Sequence, residues 1–179
     1  TLSATAANPN DGRNFSDAGN SSTLHNVFGG VDYTLAESPN PGTGYSSTGI
    51  WSCPGGTVTG NNVVSIPLGA AVTCTVTNTD NTPTLKLVKV VDNNDGGTAV
   101  ADEYTLSATA PNPSDGRNFF NLGGSGSFHN VFAGTGYVLA ENPNPGTGYT
   151  AGTWSCDGGN LVGSTVTVTL GAAVTCTIH

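Results

Sequence analysis

TLSATAANPNDGRNF (1–15) returns almost letter for letter as TLSATAPNPSDGRNF (105–119). Outward from that pair, HNVF (25–28) returns at 129–132, PNPGTGY (39–45) at 143–149 and LGAAVTCT (68–75) at 170–177. The offset is 104 residues at the start of the copies and 102 at their end, so the later loops of the second copy are shorter. A period near 100 residues is too long for a solenoid unit. It fits one immunoglobulin-sized sandwich per copy.

The copies are out of phase with the chain. TPTLKLVKVVDNNDGGTAVADEY (82–104) precedes the second copy, and nothing corresponds to it before Thr1. At the other end His179 aligns with Thr77, so no residue stands opposite Asn78. The expectation is a window on a longer array. Domain one then covers 1–80 without its first strand, and domain two covers 81–179 with its last strand cut short. TDNTP (79–83), polar and proline-containing between apolar strands, suits the connection.

Composition agrees with strands and turns. The 179 residues include 26 Gly and 10 Pro, no Met and only 9% charged side chains. Gly, Thr, Asn and Ser are poor helix formers, whereas turns use them freely. Period-2 alternation predicts strands in the second copy near 84–91, 104–110, 126–132, 136–141, 148–155, 163–169 and 172–179. DNNDGG (92–97), NPSDG (112–116), NPNPGTG (142–148) and DGG (157–159) supply the turns between them. The fold class expected is all-β, a tandem of immunoglobulin-like β-sandwiches with Greek-key-like connections.

A net charge of −8 with four cations, Arg13, Lys86, Lys89 and Arg117, leaves no basic stripe for phosphates. Nucleic acid and anionic membrane surfaces are therefore poor partners. No apolar run approaches membrane-spanning length, so membrane insertion is not expected. DNNDGG misses the spacing of a calcium loop and reads better as a turn. His25 and His129 recur once per copy, which suits inheritance of a repeat position and not a metal cluster. The Asp11-Gly12-Arg13 and Asp115-Gly116-Arg117 stretches read as turns with a local ion pair. No nucleophile, base and orienting group fall together, so no enzyme and no cofactor are expected.

The four cysteines form equivalent pairs, Cys53 with Cys74 and Cys156 with Cys176. An even count at repeated spacing in so polar a chain predicts one disulfide per domain and an oxidising, extracellular compartment. Zinc would need closer pairs and more ligands.

A second constellation is less ordinary. In the strand from Thr84 to Val91, Lys89 shares its face with Leu85, Leu87 and Val91. Glu141 shares a face with Tyr137 and Leu139, and Glu37 with Tyr33 and Leu35. Asn78 follows Val72, Cys74 and Val76 on one face. Inward-facing charges are costly unless they are paired. The plainer alternative is that both glutamates are edge residues, that Lys89 extends its amine to solvent, and that Asn78 begins a linker.

YTLAESPNPGTGY (33–45) and YVLAENPNPGTGY (137–149) resemble the E-box of CNA-B or SpaA-type prealbumin-like domains of bacterial pilins and adhesins. LKLVKVVDNNDGGTAVADEYTL (85–106) resembles the opening of such a domain, and CTVTN (74–78) its closing strand. The resemblance implies an intramolecular isopeptide bond between a first-strand lysine and a last-strand asparagine, promoted by the E-box glutamate. Lys89 and Glu141 would serve domain two, Glu37 and Asn78 domain one. The repeated cysteines depart from the usual pilin domain.

The function this implies is structural: a repeat of an extracellular bacterial surface fibre, filament or adhesin stalk. Its partners would be neighbouring repeats joined head to tail, in a homopolymeric filament at the limit. A binding module for glycans or host-surface ligands is the alternative. It would need Trp51, Trp154, Tyr45 or Tyr149 as an exposed platform, whereas their repeated positions suit a core.

Overall fold

The computed structural model describes residues 1–7, 13–111, 117–144 and 146–179. Wherever small apolar side chains alternate with Thr or Ser, the chain extends and pairs. The result is two compact units, Thr1–Thr79 and Asp80–His179. Among the described residues the helical content is limited to one 3-10 turn, Ala101–Glu103. The Asp11-Gly12 and Asp115-Gly116 turns, NPSDG and Pro145 lie outside the described residues.

The first unit contains β1 (Leu2–Ala6), β2 (Phe15–Asp17), β3 (Asp32–Glu37), β4 (Tyr45–Ser52), β5 (Thr57–Thr59), β6 (Val63–Ser65) and β7 (Thr75–Asp80). The second contains β8 (Thr84–Lys89), β9 (Thr105–Thr109), β10 (Phe119–Leu122), β11 (Phe128–Asn130) and β12 (Gly136–Asn142). It continues through β13 (Trp154–Asp157), β14 (Asn160–Val162), β15 (Thr165–Thr167) and β16 (Ala173–Ile178).

In the second unit one sheet runs β10-β9-β12-β15-β14 and the other β11-β8-β16-β13. Antiparallel pairing prevails, with one parallel contact between the unit's first strand β8 and last strand β16. Alternate residues of both sheets meet in the core. Leu85 and Leu87 face Leu106, Tyr137 and Leu139, and Val174, Cys176 and Ile178 close it. Burying each such side chain contributes about 1.5–3 kcal/mol. Cys156 and Cys176 stand directly opposite on β13 and β16 and are bonded, with Cα atoms 4.0 Å apart. Cys53 and Cys74 form the corresponding bond in the first unit, at 4.2 Å.

Short segments depart from the expected seven strands. Phe119–Leu122 pairs with β9, and Asn160–Val162 forms a hairpin with β15. Both are too short for alternation to identify them. The strand expected at 148–155 is displaced to Trp154–Asp157. The Tyr149 hydroxyl donates to Asn93 Oδ1 at 2.6 Å and accepts from the Ala99 backbone at 2.9 Å, which draws that segment onto the loop after β8. In the first unit no such loop stands beside Tyr45 among the described residues; it is 44% exposed, so its expected place in a core is corrected. There the strand begins at Tyr45 itself.

The first unit has the same first sheet, β2-β1-β3-β6-β5, but its second sheet is only β4-β7. No counterpart of β8 stands beside β7 among the described residues. Two consequences follow directly. Leu24–Asn26, which match β11 in the repeat, are not strand, because β11 exists by pairing with β8. Val72, Cys74 and Val76 are half-exposed, whereas Val174, Cys176 and Ile178 at the same repeat positions are buried.

One pair of glycines isolates the effect of β8. A Cβ on Gly123 would collide with the Ala101 carbonyl and stand 2.5 Å from Lys89 Cβ, whereas one on the matching Gly19 meets nothing within 4 Å. Gly123→Ala is therefore expected to destabilise the second unit by about 1–3 kcal/mol through overpacking. Gly19→Ala should leave the first unit within about 0.5 kcal/mol, as surface changes usually do. Denaturant midpoints of the two variants would check this, and equal losses would contradict the role given to β8.

Candidate cross-linking site

In β8 the alternation that buries Leu85 and Leu87 carries Lys89 to the next inward position. Its side chain is only 7% exposed and that of Glu141 only 1%. The Lys89 amine lies 2.6 Å from Glu141 Oε1. Glu141 continues the inward row of Tyr137 and Leu139 on β12, which belongs to the other sheet. The ion pair thus bridges the two sheets at one end of the core. Glu141 Oε2 is buried without a hydrogen-bond partner.

Tyr104 completes the surroundings. Its ring centroid is 4.7 Å from the Lys89 amine, so the ring face offers a cation–π contact. Burial pushes the Tyr104 hydroxyl above its ordinary range, with Tyr149, Glu141 and Glu103 adding to the rise. The ring therefore stays neutral and adds no competing anion. Gly123 fixes the backbone here: it accepts from Lys89 N at 3.0 Å and donates to the Tyr104 carbonyl at 2.8 Å. Neither Tyr104 nor Gly123 was legible as part of the site. The strand expected at 104–110 puts Tyr104 on the face of Leu106 and Ala108 but gives no link to Lys89, and Gly123 reads as one more loop glycine.

The first unit holds the complementary half. Asn78 on β7 donates its amide to Glu37 Oε1 at 2.5 Å, again from one sheet to the other. Asn78 Oδ1 and Glu37 Oε2 are buried with no hydrogen-bond partner. Leaving such atoms unsatisfied costs about 1–3 kcal/mol each.

Glu37 and Glu141 occupy one repeat position, as do Val76 and Ile178. Ile178 is in register with Lys89. Asn78 stands two residues past Val76, roughly 6.6 Å along the strand, on the inward side. In the shared frame of the repeat, the lysine amine and the asparagine amide therefore converge on the same glutamate carboxyl. Each unit brings two of the three groups together.

The remaining residues singled out in the sequence serve structure. DNNDGG is a turn in which Asp92 accepts from the backbone and side chain of Asn94. His25 stacks on Phe15 with its Nε2 2.7 Å from Asp17, and His129 stacks on Phe119. Arg13 and Arg117 lie 3.8 Å over the rings of Phe28 and Phe132 and donate to the carbonyls of Val27 and Val131. Trp51 is buried in the first core and Trp154 packs against the second. Lys86 lies on the outer face of β8, over Phe128.

A family model described as a prealbumin-like fold domain, of the SpaA type, matches residues 1–76 and again 80–178. Among solved structures the chain is similar to a bacterial adhesin from Mobiluncus mulieris containing intramolecular disulfide, isopeptide and ester bond cross-links. Identity there is 12% and the TM-score 0.39, over 88% of this chain and 60% of that one. No curated protein matches.

Proposed function

Because the chain belongs to the SpaA-type prealbumin-like fold family, with one copy over 1–76 and another over 80–178, we propose that it is a stretch of an extracellular bacterial stalk or fibre whose units are braced by Lys–Asn isopeptide bonds as well as disulfides. The observation that carries this reading is the pair of half-sites: Lys89 on Glu141, and Asn78 on Glu37. A disulfide in each unit suits an oxidising compartment outside the cell.

The chemistry follows from the geometry. Passing one proton from the Lys89 ammonium to Glu141 across their contact gives the neutral amine and the carboxylic acid that the reaction needs. The acid donates a hydrogen bond to the asparagine carbonyl, and the amine attacks its carbon. A C–N bond to the lysine forms, the bond to the amide nitrogen breaks, and ammonia leaves with the proton that the amine gives up. No external reagent is consumed.

The mechanical consequence comes from the parallel contact of β8 and β16. Tension enters a unit at its first strand and leaves at its last, so it shears every hydrogen bond between them together. A bond from Lys89 to an asparagine just past β16 would carry that tension and leave the intervening residues unloaded. Force spectroscopy on tandem second units, each extended by one asparagine after His179, should show no domain-length extension steps before detachment. Steps matching release of the whole unit would contradict the stalk reading.

A further inference from the structure

The five-stranded sheet is complete in both units and has the same strand order, yet its outer face differs between them. Phe120 and Leu122 on β10, Val138 on β12 and Val162 on β14 take the places of Ser16, Ala18, Thr34 and Thr59. They are 77%, 51%, 46% and 69% exposed. Their strand neighbours Phe119, Leu139 and Leu161 pack into the core, so these four side chains point outward. Asp32, the one charge among the outward strand residues of the first unit's sheet, is replaced by Gly136. Only Val63, which becomes Thr165, changes from apolar to polar.

The register joins the four into a band. Phe120 stands opposite Ser107, and Ser107 opposite Ala140. In the adjacent outward row Thr109, Val138, Thr165 and Val162 follow one another across the sheet. Apolar side chains thus run from β10 to β14, about 19 Å at the usual strand spacing, interrupted only by hydroxyls. The first unit builds the same sheet with Ser, Ala and Thr at these positions, so folding does not require the band.

We propose that this face is a lateral contact between chains, and that its occupant is the same face of a second copy. Electrostatics select that occupant. Twelve acidic side chains against four basic ones make two copies repel in most approaches. No outward position on β9, β10, β12, β14 or β15 is charged, so two such faces meet without bringing carboxylates together. Thr and Ser hydroxyls both donate and accept, so a face edged with them can satisfy its own image. A two-fold arrangement uses one patch on both sides and closes as a pair. A basic partner would instead be drawn to the carboxylates elsewhere on the chain.

The face measures on the order of 300 Å² from strand spacing and rise, well under the roughly 800 Å² per partner of a stable complex. One contact is therefore weak. It counts where many chains stand side by side and their contacts act together. Neither the disulfides nor the isopeptide reading enters this inference.

The test displays the whole chain on beads through an N-terminal biotin and follows clustering by light scattering. Wild-type beads should cluster, and added salt should not disperse them, because it screens the repulsion between acidic chains and spares an apolar contact. The variant Phe120→Ser, Leu122→Ala, Val138→Thr, Val162→Thr carries the first unit's residues and should cluster at least tenfold more slowly. An unchanged denaturant midpoint, read by Trp154 in a Trp51→Phe background, would show that its second unit remains folded. Mixed beads identify the occupant: wild-type clusters should leave the variant beads out. Wild-type beads that stay dispersed at every salt concentration would overturn the inference. So would equal clustering of the folded variant, or clusters that take up variant beads, which would place the partner surface elsewhere on the chain. Wild-type beads that cluster only when a polysaccharide is added would assign the face to glycans and overturn it as well.

Discussion

Glu141→Ala should lower the stability of the second unit by about 3–5 kcal/mol, the usual loss when one partner of a buried ion pair is removed. The variant leaves the largely buried Lys89 ammonium beside the Tyr104 ring without its carboxylate partner. Removing both charges is a different experiment. Lys89→Met with Glu141→Leu replaces the pair by apolar groups of similar size, and the outcome expected is neutral or mildly stabilising. Unfolding in denaturant, followed by Trp154 in a Trp51→Phe background, reports the second unit alone. A loss below about 1 kcal/mol for Glu141→Ala would mean that the pair behaves like a solvated surface contact, and the site as described would fail.

The disulfides should matter by a similar amount, but unequally between units. Closing a loop of 20 or 21 residues is worth roughly 3 kcal/mol in the chain-entropy model. In the second unit Cys156–Cys176 joins strands already held in a four-stranded sheet. Replacing both cysteines by alanine there should cost about that amount and leave a folded unit. In the first unit Cys53–Cys74 joins the ends of β4 and β7, which make a sheet of two strands. An isolated two-stranded ribbon is marginal in water. The same replacement at Cys53 and Cys74 should therefore abolish cooperative unfolding of the first unit. Amide exchange would read this unit by unit, and equal protection in both after reduction would contradict it.

The contrast between units explains what the sequence could and could not disclose. Inward parity was readable for Lys89, Glu141, Glu37 and Asn78, because each lies in an unbroken alternating row. The disulfide pairing was readable because the spacing repeats. Strands of three or four residues, such as Asn160–Val162, carry too few side chains to define a period. The exposure of Tyr45 was missed for another reason. Its repeat counterpart Tyr149 is held by Asn93 and Ala99 in the loop after β8, and no such loop stands beside Tyr45 among the described residues. Near-identical segments therefore settle differently when the surrounding strands differ. The loss of strand at Leu24–Asn26 has the same origin, since β11 depends on β8 for its hydrogen bonds.

Intact mass is the most direct test of the cross-link. The second unit contributes Lys89 and Glu141, so appending an asparagine and a short polar tail after His179 supplies the third group in register with Asn78. After allowance for the disulfides, this chain should weigh one ammonia less than its sequence, and fragmentation should join the peptide containing Lys89 to the appended one. The Glu141→Ala version should carry its full mass. A full, unmodified mass in the folded chain with Lys89, Glu141 and the added asparagine all present would contradict the account and leave the disulfides as the covalent braces.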